Sequence, residues 1–255
     1  MGYPARNCAA LLLLMTSLGL GAQERSVVFA VGEWPPFTGA GLPGKGVAAE
    51  IVSAACAAAG LRAVIEFFPW NRAEREVREG RAFATFPYLR IPGRESIYFF
   101  SAPIFASELA ILAHASNPRT ANLEYAGNPA SLRGFTVGTT SGSAAVTVPL
   151  TAAGVRVEET TELDQSILKL ERGRIDFVID ERTAIDDALK RLFPASSSRF
   201  RYSARNFTEK RDYLLLVSRK HPGSPELLEL FDRGLRSIRA NGTLAAIYAK
   251  HGIDR

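Results

Sequence analysis

Apolar residues recur along this chain in two rhythms, short β-rich runs and longer stretches with helical spacing. Residues 27–31, Val-Val-Phe-Ala-Val, form a β-rich run that the segment Gly32-Glu33-Trp34-Pro35-Pro36-Phe37 stops abruptly. Val47, Ile51, Ala54 and Ala58 then share one helical stripe within 47–59, Gly60 ends it, and 61–68 returns to strand. A charged helix over 71–79, closed by Gly80, and a third strand over 81–86 complete the run. This strand–helix–strand–helix–strand order predicts a mainly parallel α/β layer.

The order restarts downstream. A strand over 135–138, a turn over 139–143, a helix over 144–153 and a strand over 155–157 follow one another. Leu163, Ile167 and Leu170 mark a helix opened by Thr161-x-x-Asp164 and closed by Gly173, and 175–179 is the next strand. Beyond a strand over 213–217, Ser224-Pro225 reads as a cap followed by an N1 proline. Leu228, Phe231, Leu235 and Ile238 stripe that helix, and Asn241-Gly242-Thr243 separates it from a last helix over 244–250. Two α/β units in succession predict two lobes rather than one barrel, with 101–112 crossing outward and 206–217 returning. Ligands of open α/β sheets bind beyond the strands' carboxyl ends, so the 32–37 loop marks a binding site.

The first 22 residues form a separate unit. Arg6 precedes the apolar run Cys8-Ala9-Ala10-Leu11-Leu12-Leu13-Leu14-Met15, and small residues lead to Ala22. This is the pattern of a secretory signal peptide cleaved after Ala22. The run is shorter than the ~20 residues of a membrane span; an uncleaved, membrane-tethered leader is the competing reading. Cys8 lacks a lipobox-like leucine before it, which argues against a lipid anchor. The full chain is 47% hydrophobic, and the part beyond the leader has ample material for a core.

Charge and cysteine content narrow the classes. Arginines alternate with acids, as in Arg72-Ala73-Glu74-Arg75-Glu76-Val77-Arg78-Glu79, which describes a solvated helix face rather than a basic patch. Together with export, this excludes nucleic acid as the expected partner. Cys56 is the one cysteine beyond the leader, so no intramolecular disulfide is expected, and its apolar helix makes it a core residue. His114, His221 and His251 are scattered, and no His-Glu-x-x-His metal spacing occurs. The 139–143 turn lacks the Gly-Lys-Ser/Thr of a phosphate loop and the Gly-x-Ser-x-Gly of a nucleophile elbow. No cofactor, metal or catalytic residue is expected.

Several pieces in fixed order carry a resemblance. They are Val31-Gly32-x-x-Pro35-Pro36-Phe37, Gly80-Arg81-Ala82, Arg90-Ile91-Pro92-Gly93-Arg94 and Phe100-Ser101-Ala102-Pro103. Leu132-Arg133-Gly134-Phe135-Thr136-Val137-Gly138, Gly173-Arg174-Ile175-Asp176 with Asp180, and Asn241-Gly242-Thr243-Leu244 follow. With them the chain resembles the periplasmic solute-binding proteins of family 3, the polar amino-acid group served by ABC transporters. The resemblance covers nearly the whole mature chain. It implies an α/β, two-lobe periplasmic-binding-protein fold of type II (Venus-flytrap) with a two-strand hinge. Lobe 1 would comprise 23–107 and 211–255, and lobe 2 would comprise 108–210.

The resemblance also implies roles for particular residues. Arg94 would grip a ligand's α-carboxylate, Asp180 would take its ammonium, and Thr140-Ser141-Gly142-Ser143 would offer backbone N–H groups to the carboxylate. Glu33, Trp34 and Phe37, as side-chain contacts and an aromatic lid, with Tyr88 nearby, would shape the rest of the pocket. The implied protein is a periplasmic monomer that delivers a small carboxylate-bearing solute, a polar amino acid, to an inner-membrane permease. Phe83 replaces the usual Asp, Ile91 the usual threonine, and Phe86-Pro87-Tyr88 a stretch of small hydroxyl residues. Rival readings stay open: Arg94 as a surface ion pair, Asp180 as a helix cap, 139–143 as a plain turn, and Trp34 and Trp70 as packing residues. Glu33 and Asp180 facing each other would suit a lyase of the cyclohexadienyl dehydratase type, and a sensory module is a third reading.

Overall fold

The computed structural model describes residues 25–253; the expected leader and its cleavage point lie outside them. The first sheet is built on β1 (Arg25–Val31), β2 (Leu61–Phe67) and β3 (Ala84–Leu89), parallel to one another. β4 (Tyr98–Phe100) and β5 (Phe105–Ser107) both pair with a late strand, β11 (Arg211–Ser218), which runs antiparallel to β3. Helices α1 (Val47–Ala58) and α2 (Trp70–Arg78) connect the parallel strands. The second sheet holds β6 (Leu109–His114), β7 (Thr136–Thr140), β8 (Arg156–Thr160), β9 (Phe177–Glu181) and β10 (Phe200–Tyr202). Its order is β10-β6-β9-β7-β8, and α3 (Ala144–Ala152), α4 (Leu163–Glu171) and α5 (Arg182–Leu192) link its strands. The chain closes with α6 (Ser224–Ala240) and α7 (Thr243–Lys250).

Period-two alternation places each strand's residues on opposite faces. In β1, Val27, Phe29 and Val31 meet α1, α6 and α7, whereas Val28 and Ala30 meet Ala73 and Val77 of α2. In β6, Leu109, Ile111 and Ala113 face Val146 and Leu150 of α3, while Ala110 and Leu112 face α4 and α5. Each sheet is thus covered on both faces, as parallel sheets require. Cys56 is fully buried in the first core, and desolvation pushes its thiol up to about 12, so it serves as packing.

Tertiary packing moved several boundaries. The third strand occupies 84–89 rather than 81–86 because its second half is fixed by β11, which no local signal announces. Pro87 has no N–H to give, and the ladder passes it at a bulge: pairing steps from Leu214–Tyr88 to Leu216–Thr85. The expected cap at Thr161 is absent: α4 begins after Glu162, with no side-chain cap. Ser224 does not cap α6 either. It is the first helical residue after left-handed Gly223, and its hydroxyl is buried without a partner.

Gly234 of α6 lets two helices meet. A Cβ there would lie 1.9 Å from the carbonyl oxygen of Ala55 in α1. Gly234→Ala gains up to ~1 kcal/mol of helix propensity, but overpacking costs roughly 1–3 kcal/mol. Urea unfolding is expected to show a net loss of stability, with the midpoint lowered.

Candidate ligand-binding cleft

The carboxyl ends of the strands of both sheets open onto one cleft of about 390 Å³. Trp34, Tyr88, Arg94, Thr140, Ser141, Gly142, Ser143 and Asp180, all expected from the sequence, line it. So do Trp70, Glu74, Glu181, Arg211 and Tyr213, which were not expected there.

The 32–38 loop turns back on itself. Trp34 N–H donates to the Thr38 carbonyl at 2.8 Å, and the Thr38 hydroxyl donates to the Gly32 carbonyl at 2.8 Å. Gly32 is required here, because a Cβ would sit 2.3 Å from the Trp70 ring. Trp70 therefore lies flat over the end of β1 and donates its indole N–H to the Glu33 carbonyl at 3.2 Å. Trp34 packs against Phe37 and Tyr213, with ring centroids 4.6 and 5.6 Å apart.

Two expectations for this loop are corrected. Phe37 is buried, stacked on Phe105 at 4.9 Å, and supports Trp34 from beneath instead of forming a lid. Glu33 does not line the cleft; its carboxylate accepts the Ala40 N–H at 3.2 Å and closes its own loop. The facing pair of Glu33 and Asp180 is therefore not assembled.

Arg94 opens a 3-10 turn after Gly93, whose φ of 90° suits glycine. Its guanidinium lies 5.0 Å from the Tyr88 ring centroid, and Nη2 is 3.7 Å from Glu74 Oε2. Glu74 is itself held by the Tyr98 hydroxyl at 3.0 Å. The other terminal nitrogen, Arg94 Nη1, is buried with no hydrogen-bond partner. A surface ion pair would leave no such donor, so the arrangement suits a carboxylate arriving from the cleft.

The second lobe contributes acids. Parallel pairing sets Gly138 beside Val178, and two residues on the Thr140 hydroxyl donates to Asp180 Oδ2 at 2.7 Å. Asp180 Oδ1 accepts the Glu181 N–H at 2.8 Å, while α5 starts after Glu181 without a side-chain cap. Asp180 is thus not the cap of α5. Burial pushes its carboxyl above the ordinary 3.8, against the pull of those hydrogen bonds. Glu181 is likewise pushed up by burial, and accepts the hydroxyl of Tyr213 from the first lobe. Desolvation and that carboxylate in turn raise the Tyr213 phenol.

The 140–143 turn reaches the cleft, but not as an open amide nest. Ser141 N–H is spent on the Thr160 carbonyl, Ser143 N–H on Thr140 and Ala144 N–H on Gly142, at 2.8, 3.1 and 2.9 Å. The β7–β8 ladder runs two residues further along β7 than expected, to Thr140, and the Ser141 N–H extends it by one more bond to Thr160. The departures at Ile91 and Pro87-Tyr88 do line the cleft, whereas Phe83 and Phe86 are core residues packed edge-on to Phe29.

Two α/β lobes closing on a charged cleft define a two-lobe solute-binding fold of the Venus-flytrap class. The chain belongs to the bacterial extracellular solute-binding proteins, family 3, whose model matches residues 27–254. Among solved structures, the GluR0 ligand-binding core from Nostoc punctiforme in complex with L-glutamate is 18% identical, with 88% of this chain and 98% of that chain covered and a TM-score of 0.70. An ancestral arginine-binding protein bound to arginine is 20% identical, covering 88% and 97% with a TM-score of 0.70. Substrate-binding domain 2 of Lactococcus lactis GlnP, in an open conformation, is 20% identical, covering 91% and 98% with a TM-score of 0.62. No curated protein sequence matches the chain. Among the described residues, no helix is long and apolar enough to cross a membrane.

Because its folded carboxyl titrates above the unfolded one, ionised Asp180 costs stability that increases as pH rises through that raised value. Asp180→Asn is expected to stabilise the ligand-free protein at pH 7–8, by about 2–4 °C in Tm per kcal/mol gained. The gain should disappear below the ordinary 3.8, where the native carboxyl is neutral in both states. Thermal unfolding across pH 3–8 measures it.

Proposed function

We propose that the protein is a periplasmic binding protein that captures a small amino acid for an ABC transporter. The observation that carries this reading is the division of labour across the cleft. A buried, unpartnered Arg94 donor stands on the first lobe, and the buried acids Asp180 and Glu181 stand on the second. In this reading Arg94 holds the carboxylate, with the hydroxyls of Ser141 and Ser143 at the opposite wall. Asp180, held in place by Thr140, receives the ammonium with Glu181 beside it. Trp34, Trp70 and Tyr88 supply the apolar walls. The lobes meet at crossings near 107/108 and 210/211, and residues 1–22 direct export. A ligand touched by both lobes gains more contacts when they close, so it shifts the population toward the closed state. A permease in the inner membrane would read that state.

Family membership and the absence of the Glu33–Asp180 pair from the cleft favour capture over turnover. Calorimetry of the mature protein against the twenty amino acids tests the reading. Binding is expected for at least one of them, and Arg94→Met is expected to weaken it roughly 10- to 100-fold, the worth of a charge-assisted hydrogen bond. Unchanged affinity in Arg94→Met would remove the proposed anchor.

A further inference from the structure

The cleft holds a second arginine with no role in the scheme above. Arg211 is the first residue of β11 and pairs across the ladder with Ser107, the last residue of β5, so it stands where the chain passes between the lobes. It lines the same cleft as Arg94, and its Nε and Nη2 are buried without hydrogen-bond partners. Buried guanidinium donors are rarely left unmade, because each loses its hydration and gains nothing in return. The neighbouring acids do not resolve this. Asp180 already accepts from Thr140 and from the Glu181 amide, and Glu181 Oε1 accepts from Tyr213. Glu181 Oε2 is itself buried without a partner, and although Arg211 acts on this acid through its field, no hydrogen bond joins the two.

The cleft therefore presents two separate sets of cationic donors, Arg94 Nη1 and Arg211 Nε with Nη2. It also presents one acidic pair, Asp180 and Glu181, and two tryptophans. A neutral or basic amino acid satisfies one set and leaves the other buried and unmet. A ligand with two carboxylates and one ammonium satisfies both.

Resting on the amino-acid reading above, we propose that the ligand is a dicarboxylic amino acid, with Arg94 holding one carboxylate and Arg211 the other. Nε and Nη2 lie on one edge of the guanidinium, the edge that meets both oxygens of a carboxylate in parallel. A side-chain amide offers that edge one acceptor and one donor, and the donor would face a cation. The site thus discriminates by charge between molecules of nearly equal size. The competing role for Arg211 is structural, as a hinge cation whose field steadies ionised Glu181.

Calorimetry with L-glutamate, L-aspartate, L-glutamine and L-asparagine separates these roles. One acid is expected to bind wild-type protein roughly 10-fold or more tightly than its own amide. Arg211→Gln should abolish that preference by weakening the acid while leaving the amide within about 3-fold. Arg94→Met should weaken acid and amide together. Tighter or equal binding of the amide by wild-type protein overturns the proposal, as does an equal loss for both ligands in Arg211→Gln. Should Arg211→Gln fail to fold, the wild-type acid-to-amide ratio decides the matter by itself. Binding confined to neutral or basic amino acids would sink the diacid inference and leave the amino-acid reading standing. No binding by any of the twenty would end both.

Discussion

Tyr213 donates its hydroxyl to Glu181 across the seam between the two sheets, and much of the cleft is organised around that contact. Tyr213 belongs to β11, the strand that pairs with β3, β4 and β5 and so completes the first sheet. Glu181 ends β9, the centre of the second sheet. The buried phenol supplies one Glu181 oxygen with a donor and leaves the other, Oε2, unpartnered; the bond eases ionisation of the carboxylate and makes the phenol harder to ionise. The same tyrosine ring lies 5.0 Å from Phe105 and 5.6 Å from Trp34, so the seam and the first-lobe wall are one packed aromatic unit.

Around that seam the protein holds several buried polar groups. Asp180 and Glu181 are adjacent, desolvated acids, and Arg94 and Arg211 carry buried donors without partners. Such groups oppose folding, since burying polarity without full compensation is unfavourable. The two cores offset this with apolar packing on both faces of each sheet. A binding site has reason to tolerate the conflict: the groups that are badly satisfied alone are those a ligand of matching charge can satisfy.

How far the sequence reaches is clearest residue by residue. Arg94 and Asp180 were legible because each follows a strand with its own apolar signature and sits in a recognisable motif. Thr140 was legible as a cleft residue, although its hydroxyl turned out to fix Asp180, and the Ser141 and Ser143 amides after it are spent on Thr160 and Thr140. Phe37 and Glu33 were misjudged because proximity to Trp34 in sequence says nothing about direction. The loop closes on itself, burying one and tying down the other. Arg211 and Tyr213 were missed outright. Nothing local distinguishes the first residues of a late strand from those of any other, and their importance comes from pairing with β3 and β5, more than a hundred residues earlier.

The sequence by itself determined the alternation of strands and helices, the existence of two α/β units and the family. Those properties are written in local periodicity, glycine stops and short motifs, each readable within a dozen residues. Tertiary structure decided which polar groups meet. It set Arg211 in the cleft with Arg94 and Glu181 against Tyr213, and it placed Trp70 over Gly32. The reason is physical: a strand's neighbours, and hence the environment of its terminal side chains, are fixed by ladders between distant segments rather than by the segment's own composition.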